Sequence, residues 1–271
     1  MSPSFPKKSL ARCRAGLPVR GTNFDLGSPA VVEAALAVEL DWCVLDWEHG
    51  LWNEVNLPQV LQLLAPSPMF TIVRTPYVSG PWIKKALDWG ADGVLVPNMR
   101  TLQEVRECVR EAKYAPLGQR GVGPYRPSGF WADLDSYLRA GNERTLLWVM
   151  IETIDFVRIL NEVCALPGVD GFVVGRNDLA QSLGRAYAEC AAQVDALAEE
   201  ALATCVAAGK PVGIFGGSGA DNRRWAAAGA TLLNLGDDAQ FIRDGMAVVA
   251  GELGVGPQET RTATPTGGSR A

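Results

Sequence analysis

Residues 86–105 read Ala86-Leu87-Asp88-Trp89-Gly90-Ala91-Asp92-Gly93-Val94-Leu95-Val96-Pro97-Asn98-Met99-Arg100-Thr101-Leu102-Gln103-Glu104-Val105, one repeat of a pattern that runs through the chain. A helical segment stops at Gly90, the C-terminal use of glycine. A short apolar run follows at 93–97, and Thr101 with Glu104 forms the capping box that opens the next helix. Outward from this stretch the alternation extends from about residue 18 to about 251, with apolar runs at 19–24, 42–48, 70–75, 146–152, 171–175, 212–216 and 232–236. Strands that alternate with amphipathic helices lie parallel, and eight of them close a barrel. Further helix starts support the reading: Ser28-Pro29 is an N-cap followed by a first-turn proline, and apolar residues recur at helical spacing over 31–40, 105–112 and 194–208. Gly209 and Gly229 stand where helices end before the seventh and eighth runs. An open doubly wound sheet would carry G-x-G-x-x-G after its first strand, and residues 21–27 lack it.

The expected fold is therefore α/β, a (β/α)8 barrel over 17–254, with an N-terminal arm at 1–16 and a polar, disordered tail at 255–271. Residues 114–129, rich in Gly, Pro and Arg, form a long loop that serves either function or a surface excursion.

Composition narrows the partners. The 271 residues carry 30 Asp plus Glu against 25 Lys plus Arg, a net charge of −5, opposite to the footprint of a nucleic-acid binder. The 6 cysteines lack C-x-x-C spacing and lie mostly in apolar runs, as buried thiols of a reducing compartment do. Apolar stretches are broken by charge before the length that spans a bilayer, and no apolar core follows the basic N-terminus. A soluble, cytoplasmic protein with no nucleic acid and no membrane partner is expected.

In such a barrel the chemistry lies where strands end. The second run leads into Asp46-Trp47-Glu48-His49-Gly50, the third into Arg74, the fifth into Glu152, the sixth into Arg176-Asn177-Asp178 and the eighth into Asp237-Asp238. His49 is the only histidine of the chain and a candidate general base; the alternative is a residue that caps the strand. Asp46 and Glu48 share a strand face, and only one of them is placed to support the imidazole. Glu152 and Asp178 follow runs too apolar for an unpaired charge, so a cation should lie close. Either it is a metal, and hard oxygen ligands suit Mg²⁺ or Mn²⁺, or it is Arg74 in a salt-bridge network. The Arg74 fork matches a carboxylate or an enolate oxygen. Gly216-Gly217-Ser218-Gly219 offers a weak anion-nest signal. None of the lysines ends a strand on this face, which disfavours Schiff-base chemistry.

The residues Leu45-Asp46-Trp47-Glu48-His49-Gly50, Val73-Arg74-Thr75-Pro76, 86–93, Lys113-Tyr114-Ala115-Pro116-Leu117-Gly118, Arg120-Gly121-Val122-Gly123-Pro124, Met150-Ile151-Glu152-Thr153 and Asn177-Asp178-Leu179 resemble, in order, the HpcH/HpaI family of class II, metal-dependent pyruvate aldolases. The resemblance implies a pyruvate-binding (β/α)8 barrel with a swapped final helix, assembled as a homo-oligomer, usually a hexamer. It implies that Glu152 and Asp178 hold a divalent ion (Mg²⁺, Mn²⁺ or Co²⁺), that Arg74 stabilises the enolate oxygen, and that His49 moves the proton at the aldehyde end. It also implies that Asp88 of a neighbouring subunit raises the basicity of His49, with Asp46 as the local alternative, and that the Gly175-Arg176-Asn177 turn meets the pyruvate carboxylate. Two residues depart from the family pattern. Met150 replaces a glutamine of some members, and Arg176 replaces a proline, adding a charge that either pairs with a protein carboxylate, waits for an anionic acceptor, or points to solvent. Phe215 belongs to the loops expected to set specificity.

The activity so implied is cleavage of a 4-hydroxy-2-oxo acid to pyruvate and an aldehyde, reversibly. The alternatives keep the enolate and change its source or electrophile, as in oxaloacetate decarboxylation or acyl-thioester condensation to citrate; a barrel that binds a dicarboxylate without turnover is the third.

Overall fold

A computed structural model describes residues 7–78, 80–216 and 219–254. The elements follow in the order α1 (Lys8–Arg14), β1 (Val19–Phe24), α2 (Pro29–Ala35), β2 (Trp42–Asp46), α3 (Asn56–Leu64), β3 (Phe70–Arg74), α4 (Gly80–Trp89), β4 (Gly93–Val96), α5 (Leu102–Ala112), α6 (Leu134–Arg144), β5 (Leu146–Ile151), α7 (Ile154–Cys164), β6 (Gly171–Gly175), α8 (Arg176–Ser182), α9 (Tyr187–Ala207), β7 (Val212–Phe215), α10 (Gly219–Ala227), β8 (Leu232–Asp237) and α11 (Asp238–Glu252). All strand pairs are parallel, and β8 returns to β1 to close the barrel. The apolar runs are the strands, and several end one or two residues sooner than the runs do, which leaves Glu48 and Glu152 just beyond β2 and β5.

Local chemistry explains the element boundaries. Ser28 accepts from the Val31 N–H ahead of Pro29, and Thr101 and Glu104 make the reciprocal capping box of α5. Gly90, at φ +109°, ends the turn after α4 in a conformation that a side chain disfavours. α2 is shorter than the apolar spacing over 31–40 suggests, and α6 follows the loop at 114–129.

Two apolar layers hold the barrel. One lies between strands and helices and includes Leu45, Val73, Ile83, Val149, Leu160 and Leu202. The other fills the barrel interior with Trp42, Phe70, Ile72, Trp148, Val173 and Leu232. Trp42 fits because β1 carries Gly21 beside it; a Cβ there would sit 2.0 Å from the indole.

The first helix closes the N-terminal end. Its Leu10 and Cys13 join the interior layer, while flanking cations meet the aspartates that precede β2, β4 and β6. Arg12 pairs with Asp41 at 2.8 Å, Lys7 with Asp92 at 2.9 Å and Arg14 with Asp170 at 3.2 Å. Polar chemistry at the opposite end thus stands on a plugged barrel. Residues 1–6 and the tail at 255–271 lie outside the described residues, as do Gly217 and Ser218 of the expected anion nest.

Candidate active site

The parallel register between β2 and β3 sets Asp46 beside Arg74. Arg74 donates through Nε to Asp46 Oδ1 at 2.7 Å and through Nη2 to Asp46 Oδ2, a two-point fork. Asp46 is buried and also accepts the backbone N–H groups of Glu48 (3.0 Å) and His49 (3.2 Å). Burial alone would raise its carboxyl, but the Arg74 hydrogen bonds and charge, with the two backbone donors, hold it below the usual range. Asp46 is therefore not the partner of the His49 ring, the role left open for it from sequence. Its side chain belongs to Arg74, and the acid beside the imidazole is Glu48, with Oε2 3.5 Å from His49 Nε2. The reason is register: the strand pairing presents Asp46 to a guanidinium, whereas His49 has already left the strand and is largely exposed.

A second set of carboxylates is less fully neutralised. Glu152, just after β5, is buried and accepts the Asn98 backbone N–H. Burial pushes it up to about 7, with Asp178 and Glu48 adding repulsion. Glu48 likewise rises to about 7 through burial, and the Asn98 side chain donates to it at 3.1 Å. Asn98 holds both contacts from φ +57°, a conformation that asparagine tolerates better than most residues.

Among the described residues, Arg74 pairs with Asp46 and Glu48 at salt-bridge distance, and neither Glu152 nor Asp178 has an ion-pair partner. Arg74 makes its contact-distance ion pairs with Asp46 and Glu48, and it acts on Glu152 only from farther away, lowering its carboxyl without pairing with it. They are neighbours: a Cβ on Gly175 would lie 3.2 Å from Asp178 Oδ2 and 3.3 Å from Glu152 Cβ. Two carboxylates that flank one glycine, neither with an ion-pair partner among the described residues, fit a hard divalent ion.

The predicted Arg74, Met150, Gly175, Arg176, Asn177, Asp178 and Phe215 line one cavity of about 320 Å³ at the C-terminal ends of the strands. Asn23 and Tyr187 line it too and were missed from sequence, and so does Gly216 of the weak anion-nest signal. Phe215 stacks on Trp42 with centroids 5.7 Å apart and planes 8° from parallel, which places an apolar surface beneath the polar groups. Arg176 is not on the outer surface. Its side chain is 12% exposed, and the guanidinium donates from Nη1 to Tyr187 Oη (3.1 Å) and Asp195 Oδ1 (3.4 Å), and from Nη2 to the Gly216 carbonyl.

Two acidic features lie apart from the cavity lining. Asp88 on α4 accepts from Arg120 Nη2 at 2.6 Å. Asp25, Asp237 and Asp238 bring carboxylate oxygens within 4.8 Å of one another. Asp238 there accepts the Asp25 and Leu26 backbone N–H groups, and Asp237 caps α11 at Gln240, so two of the three serve local hydrogen bonds.

A family model described as HpcH/HpaI aldolase/citrate lyase matches residues 24–244. The chain belongs to this family. Among similar proteins, the hydroxypyruvate/pyruvate aldolase of Deinococcus radiodurans is 31% identical over 255 residues, covering 94% of this chain and 92% of that one. The 4-hydroxy-2-oxo-heptane-1,7-dioate aldolase of Shigella sonnei is 31% identical over 245 residues, covering 90% and 94%. A crystal structure of an HpcH/HpaI aldolase/citrate lyase family protein from Burkholderia cenocepacia, 29% identical, superposes with a TM-score of 0.85 over 91% of this chain and 99% of that one. The family thus joins aldolases and citrate lyases on the barrel described above. Among the described residues no helix is long and apolar enough to cross a membrane.

Proposed function

We propose that the protein is a class II aldolase, a divalent-metal-dependent carbon–carbon lyase that splits a 4-hydroxy-2-oxo acid into pyruvate and an aldehyde and runs in reverse as an aldol addition. The observation that carries this reading is the pair Glu152 and Asp178, which flank Gly175 with no ion-pair partner among the described residues, Asp178 lining the cavity that Arg74 also lines. Glu152 and Asp178 would hold Mg²⁺, Mn²⁺ or Co²⁺. Bound there, the ion supplies Lewis-acid polarisation of the 2-oxo group.

The remaining chemistry belongs to the chain's own side chains. In cleavage the C3–C4 bond breaks, the 4-hydroxyl loses its proton, and the electron pair passes toward C2 and its oxygen. Arg74 faces that oxygen with the edge that Asp46 leaves free, a planar donor already fixed in place before substrate arrives. His49, with Glu48 beside its Nε2, takes the hydroxyl proton directly or through water and returns it to the aldehyde oxygen in the reverse direction. Solvent water then supplies the proton that C3 takes to give pyruvate, and His49 gives up the hydroxyl proton to solvent, so no net proton is gained or lost. The first turn of α8, with Asn177, borders the cavity where the pyruvate carboxylate would lie.

Assembly as a homo-oligomer, a hexamer on the family resemblance, belongs to the same proposal. Exposure of Phe241, Ile242, Met246, Val248 and Val249 on α11 in the single chain supports it, and Asp88, anchored by Arg120, is the group that would reach His49 of a neighbouring copy. The test is pyruvate release from a 4-hydroxy-2-oxo acid, followed by reduction with lactate dehydrogenase, with Mn²⁺ and with EDTA. Release in Mn²⁺ and loss in EDTA support the reading; equal release in both overturns it.

A further inference from the structure

We propose that Asn98 is a positioning residue that keeps two neighbouring acids to separate tasks, Glu152 to the metal and Glu48 to His49. The inference rests on the aldolase reading and assigns a part in the reaction to a residue outside the cavity lining.

Asn98 follows Pro97 just beyond β4. Its backbone N–H donates to Glu152 Oε1, and its side-chain Nδ2 donates to Glu48 Oε1 at 3.1 Å. One residue thus gives a donor to each of two carboxylates that repel one another. Like charges turn apart unless each is held. On Glu48 the contact also sets the direction of the carboxylate. With Oε1 on Asn98, Oε2 faces His49 Nε2 and Arg74 Nε, each at 3.5 Å. Released from Asn98, Glu48 is free to swing toward a cation held by Glu152, which would take it from the imidazole. Arg74 does not depend on this contact, because Asp46 fixes its guanidinium at two points.

The two contacts have different physical origins. The N–H meets Glu152 because Asn98 lies at φ +57°, a left-handed backbone that Asn tolerates and in which a β-branched residue is an outlier. The turn is tied to the β5 end a second time, where Thr153 Oγ1 donates to the Met99 carbonyl at 2.9 Å. The Glu48 contact needs the carboxamide instead. Glycine adopts the same backbone with no side chain, so the two contacts can be removed one at a time. Asn98 is exposed, so its truncation opens no cavity in the core.

The experiment compares the wild type, Asn98→Gly and Asn98→Val in three measurements: cleavage of 4-hydroxy-2-oxopentanoate with Mn²⁺, methyl deuteration of pyruvate with Mn²⁺, and Mn²⁺ affinity by calorimetry. Asn98→Gly should lower kcat for cleavage about tenfold, the loss of a hydrogen bond to a charged group. Its pyruvate exchange should fall much less, and its Mn²⁺ affinity should stay near that of the wild type. Asn98→Val should weaken Mn²⁺ binding by about tenfold or more, because leaving the left-handed backbone turns the N–H away from Glu152, and should lose exchange together with cleavage. A merely structural role would lower cleavage and exchange equally in Asn98→Gly. That result overturns the proposal, as does wild-type cleavage in the same variant. If Asn98→Val does not fold, the Asn98→Gly comparison decides alone. The wild type separates the two levels: exchange by the wild type with undiminished cleavage in Asn98→Gly refutes the assignment of Asn98 alone, whereas no exchange by the Mn²⁺-loaded wild type refutes the aldolase reading and the division of tasks with it.

Discussion

Arg74 and Asp46, at paired positions on adjacent strands, meet in a two-point fork that leaves the guanidinium fixed at the edge of the cavity. Asp46 is buried and has no other cation at salt-bridge distance among the described residues. Arg74→Ala should therefore cost about 3–5 kcal/mol of stability, the penalty for leaving the buried Asp46 charge unpaired. Arg74→Lys should lower kcat/KM by roughly tenfold or more, because a point charge does not reproduce the fork. Urea unfolding and steady-state kinetics check the two; a Lys variant with wild-type rates removes Arg74 from the reaction.

His49→Ala should slow cleavage by about 10² to 10⁴, the range of general acid–base catalysis, and should slow pyruvate proton exchange much less. Equal losses in the two assays would move His49 from the aldehyde end to the enolate.

The raised carboxyls set a pH dependence that metal should reverse. Glu48, Glu152 and Asp25 rise through burial to about 7. Each then binds its proton more tightly folded than unfolded, so stability falls as pH rises from the ordinary carboxylate range to about 7. Metal-free protein should melt at higher temperature at pH 5.5 than at pH 7.5. Mn²⁺ requires the ionised acids and should raise the melting temperature more at pH 7.5. Calorimetry at the two pH values, with and without Mn²⁺, measures this; the same Mn²⁺ shift at both would contradict it.

The N-terminal plug is open to a stability test that leaves the cavity untouched. Leu10 is 2% exposed inside the barrel layer. Leu10→Ala should cost about 2–5 kcal/mol while the KM for pyruvate stays within twofold. A cost below about 1 kcal/mol would show that α1 does not seal the barrel.

The barrel and its polar strand ends were legible in the sequence because both follow from local pattern. Apolar runs alternate with capped helices, and Arg74, Glu152 and Asp178 each stand just after such a run. Partner choice was not legible, because it depends on register and on contacts between distant segments. Asp46 and Glu48 looked equivalent beside His49 until pairing with β3 gave Asp46 to Arg74. Asn98 gave no signal beyond its place after Pro97, and its role comes from a left-handed backbone that turns its N–H toward Glu152. Tyr187 and Asp195, on α9, reach Arg176 across 11 and 19 residues of chain, a contact that no periodicity encodes.

The most direct test of the account is methyl deuteration of pyruvate in D₂O, followed by proton NMR. The account expects exchange with Mn²⁺ that EDTA abolishes, and at least tenfold slower exchange at equal Mn²⁺ in Glu152→Gln and Asp178→Asn, each with weakened Mn²⁺ binding. No exchange by the Mn²⁺-loaded wild type, or wild-type exchange in both variants, would contradict it.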